Sequence, residues 1–94
     1  MKNIASLILI LIFSFNLKAI PVEYYWTNAT TDNNWTTLGN WSTTNPSIGV
    51  ITIPTTYPNN INNHEVYFND PLAGNCEVNV LVEVLRFEIG SAYD

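Results

Sequence analysis

Basic side chains are almost absent from this sequence once its first nineteen residues are set aside. The 94 residues contain three Lys or Arg, and two of them, Lys2 and Lys18, lie near the N-terminus, which leaves Arg86 alone against eight Asp and Glu. Residues 20–94 therefore carry a formal charge of −7, one base against eight acids. Such a surface repels phosphate groups, so we expect neither nucleic acid nor an anionic lipid surface as a partner.

Cysteine is equally scarce, because Cys76 is the only one. No intrachain disulfide can form, although small exported domains often use disulfides to supplement a thin core. His64 is likewise the only histidine, and a structural zinc site requires about four protein ligands. We therefore expect no metal, no cofactor and no catalytic residue, with Cys76 as a small apolar residue at a strand start. A nucleophile–base pair of Cys76 with His64 remains the alternative.

The longest apolar run lies at the N-terminus, at residues 4–15, between a short basic segment and a polar exit. It is shorter than the ~20 apolar residues that a membrane-spanning helix needs. This order is typical of a cleavable secretory signal peptide, residues 1–19, with the cut between Ala19 and Ile20; a retained membrane anchor is the alternative. We expect the chain to meet the secretion machinery, to contact the membrane only through this peptide, and to be secreted or held on the outer cell surface.

Helical periodicity is absent after residue 20, and strand-forming residues alternate with Asn-, Asp- and Pro-rich turns. The short strands that this pattern predicts are residues 22–27, 40–42, 49–53 and 65–68. A longer run at 76–89 alternates apolar with polar residues but changes phase between Val84 and Leu85, which predicts two strands meeting at a bulge or corner. Because an apolar strand at a sheet edge promotes association, we expect this run to need further strands beside it.

Several short motifs follow one another in a fixed order. They are Tyr24-Tyr25-Trp26, Asn34-Trp35, Gly39-Asn40-Trp41-Ser42, Ile53-Pro54-Thr55, Val66-Tyr67-Phe68-Asn69-Asp70, Cys76-Glu77-Val78-Asn79-Val80 and Leu85-Arg86-Phe87-Glu88-Ile89-Gly90. This order resembles the N-terminal region of large secreted surface proteins of the Bacteroidetes, commonly delivered by type IX secretion. It is also similar to the start of autotransporter passenger domains. The chain departs from the pattern in the very short connection between its last two strands.

The resemblance implies an all-β chain: the N-terminal cap and first rung of a right-handed parallel β-helix or β-solenoid that continues beyond this sequence. The cap would be the irregular, β-rich residues 20–75, and the rung the strands of residues 76–94. The implied function is an exported structural or adhesin-like segment without its own catalytic site, in contact with glycans or other surface proteins. The enzymatic alternative is the N-terminal part of a β-helix glycan-degrading enzyme.

A third alternative, a small carbohydrate-binding module, depends on the three tryptophans. Trp26, Trp35 and Trp41 could form a platform on which sugar rings stack, flanked by Asn and Asp side chains. Large aromatics also dominate the cores of small domains, and we favour this core role for them. The oxygen-rich segments 32–34 and 69–70 lack the spacing of a calcium loop, so we interpret them as turns.

Overall fold

A four-stranded mixed sheet organises the part of the chain that the computed structural model describes, which is residues 20–91 and 93. The strands are β1 (Val22–Trp26), β2 (Trp41–Ser42), β3 (His64–Phe68) and β4 (Arg86–Ile89), and two short 3-10 helices are Leu38–Asn40 and Pro46–Ile48. The order across the sheet is β2-β1-β3-β4. β2 is antiparallel to β1, whereas β1, β3 and β4 are parallel to one another.

β1 and β3 bury alternate side chains on the same face of the sheet. Tyr24 and Trp26 of β1 are buried, as are Val66 and Phe68 of β3. The register places Tyr24 beside Val66, so the buried residues of the two strands form adjacent columns. Aromatic and β-branched side chains suit such a pleated, half-buried surface, which explains why these two short segments form strands.

Tryptophan supplies the centre of the core. Trp41 is 0% exposed, and its ring meets those of Trp26 and Trp35 nearly edge to face, with centroids 5.0 and 4.7 Å apart. Such aromatic pairs contribute about 0.5–1.5 kcal/mol beyond the area they bury. The buried hydrophobic cluster consists of Tyr24, Trp26, Trp35, Trp41, Val66, Phe68 and Ala73.

Two buried amides, Asn28 and Asn40, hold the polar loop between β1 and β2 together, and Asn40 is the more deeply buried. Asn40 is 0% exposed, and its Oδ1 accepts hydrogen bonds from the backbone N–H (3.1 Å) and Oγ1 (2.6 Å) of Thr30. Its Nδ2 donates to Asp32 Oδ1 (2.6 Å) and to the Asn34 carbonyl (3.0 Å). The side chain therefore uses both its donors and both its acceptor sites, which offsets the free-energy cost of burying it.

The predicted parallel β-helix is wrong. The described residues form one open sheet of four strands, with the antiparallel β2 at one edge, and the sheet does not close into a coil. The strands predicted at residues 22–27, 40–42 and 65–68 occur as β1, β2 and β3. The predicted signal peptide, residues 1–19, lies outside the described residues.

Two of the predicted strands are absent or much shorter. Residues 49–53 form no strand, and Ile51 and Ile53 are exposed. Within the predicted run at 76–89, only an isolated bridge from Glu77 to Asn34 and strand β4 are formed. The intervening residues alternate in polarity, but no strand among the described residues lies beside them, and a strand requires such a partner.

Candidate functional site

The three tryptophans proposed for sugar stacking lie inside the protein. Trp26, Trp35 and Trp41 are 1%, 2% and 0% exposed. Each indole N–H is also in use: Trp35 Nε1 donates to the Pro58 carbonyl at 2.9 Å, and Trp41 Nε1 donates to the Trp35 carbonyl at 2.7 Å. Trp26 Nε1 donates to the Gly74 carbonyl at 3.3 Å. The described structure therefore brings the three rings together as core and leaves none of their faces open to a sugar.

Cys76 and His64 have separate environments. Cys76 packs against the core, where burial, together with the charge of Glu77, raises the pKa of its thiol to about 12. His64 Nδ1 accepts a hydrogen bond from the Asn59 N–H at 3.0 Å, its ring lies 4.8 Å from that of Tyr24, and burial lowers its pKa. A thiol that remains protonated at neutral pH is a poor nucleophile.

The two oxygen-rich segments are engaged in turns. Asp32 Oδ1 accepts hydrogen bonds from the Asn34 N–H (2.9 Å) and Asn40 Nδ2 (2.6 Å), and Oδ2 accepts from Thr37 Oγ1 (2.6 Å). The bonds from Thr37 and Asn34 are the main reason why the pKa of Asp32 falls to about 2. Asp70 Oδ1 similarly accepts from the Leu72 N–H at 2.9 Å. In residues 20–91 and 93, no group of three or more His, Cys, Asp or Glu could hold a metal ion.

The outer edge of β4 is the most open part of the sheet. β4 pairs with β3 on one side, and no described residue pairs with its other side. Leu85, Phe87 and Ile89, here called the apolar row, are 49%, 54% and 57% exposed. The register places Phe87 beside Val66 and Ile89 beside Phe68. The apolar row is thus the continuation of the buried face onto a strand where that face is uncovered.

The opposite face of β4 carries charge. Arg86, the only Lys or Arg after residue 19, donates from Nη2 to Glu88 Oε2 at 2.7 Å, and this bond raises its pKa. The two side chains are 59% and 44% exposed. An exposed ion pair of this kind contributes at most about 1 kcal/mol to stability. The pair is therefore of more interest for what it presents at the sheet edge than for the fold.

A pair of tyrosines occupies the same face on the two neighbouring strands. The rings of Tyr25 and Tyr67 stack with centroids 5.3 Å apart and planes 21° apart. Tyr25 donates its hydroxyl hydrogen bond to Glu23, and Tyr67 donates to Glu65 Oε1 at 3.1 Å. Burial and the bond to Glu23 raise the pKa of Tyr25 to about 12. Sequence reasoning missed this pair, although a Glu-x-Tyr spacing recurs in both strands.

A cleft of about 310 Å³ opens beside Tyr25, between residues 45–47 and 69–71. Two of the polar side chains in its wall are already bonded within their own turns. Asn45 Oδ1 accepts from the Ser47 N–H at 3.0 Å, and Asp70 is engaged as described above. Part of the cleft's polar lining is therefore engaged in the turns that form its wall.

Comparison with protein-family models, curated proteins and solved structures found no match to this chain. Among the helices of the described residues, none has the length and apolar character needed to cross a membrane. The candidate site therefore rests on geometry, and the feature that stands out is the β4 edge with its apolar row.

Proposed function

We propose that this chain is an exported, non-enzymatic contact module of the structural or adhesin-like kind, and that the β4 edge is its contact surface. The observation that carries the proposal is the apolar row, whose three side chains are about half exposed beside the outer edge of β4, which pairs with no described residue. An open apolar edge recruits other strands, and soluble proteins usually counter this by shortening, charging or covering the edge. β4 is short and carries Arg86 and Glu88 on its other face, but its apolar row is left uncovered. A chain that leaves this edge open is suited to making contacts there.

Two sequence features support an extracytoplasmic setting. Residues 1–19 have the order of a secretory signal peptide, and the motif order of the following residues resembles that of secreted Bacteroidetes surface proteins. Of the two partner classes expected for such a segment, glycans and proteins, the β4 edge favours a protein. A strand edge binds another backbone through main-chain hydrogen bonds and selects it through alternate side chains.

Export is tested by producing the full chain in a bacterial host and fractionating the cells. We expect the extracytoplasmic fraction to contain a chain that begins at Ile20, identified by intact mass and N-terminal sequencing. A Leu9→Arg variant places a charge in the apolar run and is expected to keep the chain in the cytoplasm. Full-length wild-type protein confined to the cytoplasm would contradict the proposal.

The contact role is tested with particles coated with the exported protein. We expect them to attach to slides bearing a film of unfolded protein, whose extended chains offer strand partners, more than to slides bearing polysaccharide. Phe87→Thr/Ile89→Thr should reduce this attachment several-fold. Ile61→Thr is the matched control, because Ile61 is 54% exposed, as is Phe87, but lies on a turn outside the strands. Equal attachment by both variants would remove the β4 edge from the mechanism.

A further inference from the structure

We infer that the partner fitted by the β4 edge is β4 of a second copy, paired antiparallel about a two-fold axis with Phe87 opposite Phe87. This inference rests on the proposed function, because it names the partner that the β4 edge contacts. It is carried by a separate observation, the order of charged and apolar residues along β4. A two-fold interface must be self-complementary, because each copy presents the same patch to the other.

The charges on β4 match themselves in this register. With Phe87 at the centre, Arg86 of each copy lies opposite Glu88 of the other, so that opposite charges face each other twice. Residues directly opposite in an antiparallel pair are close enough to interact, and opposite charges there are favourable while like charges are not. Arg86 is the only Lys or Arg after residue 19, and in this register the Arg86 of each copy faces the Glu88 of the other.

Neighbouring registers fail the same test. Centring the pair on Arg86 places two arginines opposite each other, and centring it on Glu88 places two glutamates opposite each other. Centring it between Phe87 and Glu88 puts an apolar side chain opposite a charged one on both faces. Only the register centred on Phe87 keeps apolar residues with apolar residues and bases with acids, which defines a single pairing.

The apolar row gains cover from this pairing. Leu85 of each copy lies opposite Ile89 of the other, and the two Phe87 side chains meet at the axis. The ring of Phe87 already lies 5.2 Å from that of the buried Phe68, so the second copy would extend the core column across the interface. The opposite edge of the sheet is less suited to pairing, since β2 has two residues and both are buried.

The interface is small and the two copies repel each other, because residues 20–94 carry a formal charge of −7. We therefore expect a reversible dimer whose fraction rises with protein concentration rather than an obligate one. Sedimentation velocity of the exported protein over a wide concentration range measures this. A single species of monomer mass at every concentration, or larger oligomers without a dimer, would overturn the inference.

The register is tested by reversing each charge separately. Arg86→Glu places acids opposite acids, and Glu88→Arg places bases opposite bases, so each variant alone should dimerise roughly tenfold more weakly than wild type or not at all. When the two variants are mixed in equal amounts, one copy presents acids at positions 86 and 88 and the other presents bases at both. Opposite charges then face each other twice across the interface, and we expect the mixture to regain the dimer.

A matched control separates this pairing from net charge. Glu83→Arg changes the charge by as much as Glu88→Arg, but Glu83 lies before β4 and is exposed. This variant should dimerise by itself at least as well as wild type, and a mixture with Arg86→Glu should form no heterodimer beyond the wild-type level. If Arg86→Glu pairs equally well with both arginine variants, the register is wrong. Thermal melts of each variant confirm that it remains folded.

Loss of the dimer and loss of the exported contact role give different experimental results. A protein that is exported and attaches through its β4 edge, yet sediments as a monomer at every concentration, keeps the contact role and loses the second copy as its partner. A protein that dimerises as described but remains in the cytoplasm keeps the pairing and loses the extracytoplasmic role.

Discussion

At the β1 end of the sheet the apolar face lies under tryptophans, whereas at the β4 end the same face is open. Trp35 and Trp41 come from the segment after β1 and pack against Trp26 and Phe68. The segment that leads into β4 covers much less, and Leu81 within it is 86% exposed. The three parallel strands have similar alternation, so the difference arises from the segment that folds over each strand and not from the strand itself.

The polar groups divide in the same way. At the covered end Asn40 is buried with four side-chain hydrogen bonds, all to the loop around it. At the open end Arg86 and Glu88 are paired in solvent. Buried hydrogen bonds are costly to break, while exposed ion pairs contribute little to stability. The covered end should therefore determine whether the chain folds, and the open end what it contacts.

The largest effect is expected from Trp41→Ala. Truncating a buried tryptophan costs about 3–5 kcal/mol, because the removed contacts leave a cavity. A domain of this size has a small margin of stability, so we expect the variant to lose its cooperative thermal transition, followed by circular dichroism. Phe87→Ala is the control from the open end of the same face and should cost about 1 kcal/mol. Equal losses in dilute protein would abolish the distinction between the two ends.

A smaller loss is expected from Asn40→Ala. The change removes a fully buried side chain that bonds the Thr30 N–H and the Asn34 carbonyl, at a cost of about 1–3 kcal/mol. Urea unfolding gives the free energy of unfolding for comparison. Asn79→Ala, the same change at an exposed position in the segment before β4, should stay within about 0.5 kcal/mol of wild type. A mild effect at Asn40 would mean that water replaces its bonds without loss.

The sequence identified the covered end better than the open one. β1 and β3 are short, rich in Val, Tyr, Trp and Phe, and bounded by turn residues, which are all local signals. The role of the tryptophans as core followed from their size, because large aromatics dominate the cores of small domains. The stacking of Tyr25 on Tyr67 could not be predicted, because it depends on the register between strands about forty residues apart.

The alternation before β4 led to the wrong prediction of a long strand run at residues 76–89. Alternating polarity shows only that a segment is suited to a strand, and not that another strand lies beside it. Val78 and Val80 alternate with polar residues, yet they are 53% and 40% exposed, and none of the strands in the described part of the chain pairs with them. A β-helix requires successive coils to stack, and short motifs do not specify that stacking. The sequence of residues 85–89 indicated an apolar strand that could promote association at a sheet edge. It did not indicate that this strand pairs with β3.

The smallest expected effect is a dependence of the melting temperature on pH, which arises from Asp32 at the covered end. Hydrogen bonds from Thr37 and Asn34 lower the pKa of Asp32 from 3.8 to about 2 in the folded chain. A lowered folded pKa stabilises the protein above the unfolded value, and this stabilisation is lost as pH falls through the folded value. We expect the melting temperature to decline between about pH 4 and pH 2, and Asp32→Asn to weaken that decline. Asp70→Asn is the control, because it makes the same chemical change in the turn after β3. If Asp70→Asn weakens the decline in melting temperature as much as Asp32→Asn does, the decline arises from general protonation and not from the loop around Asn40.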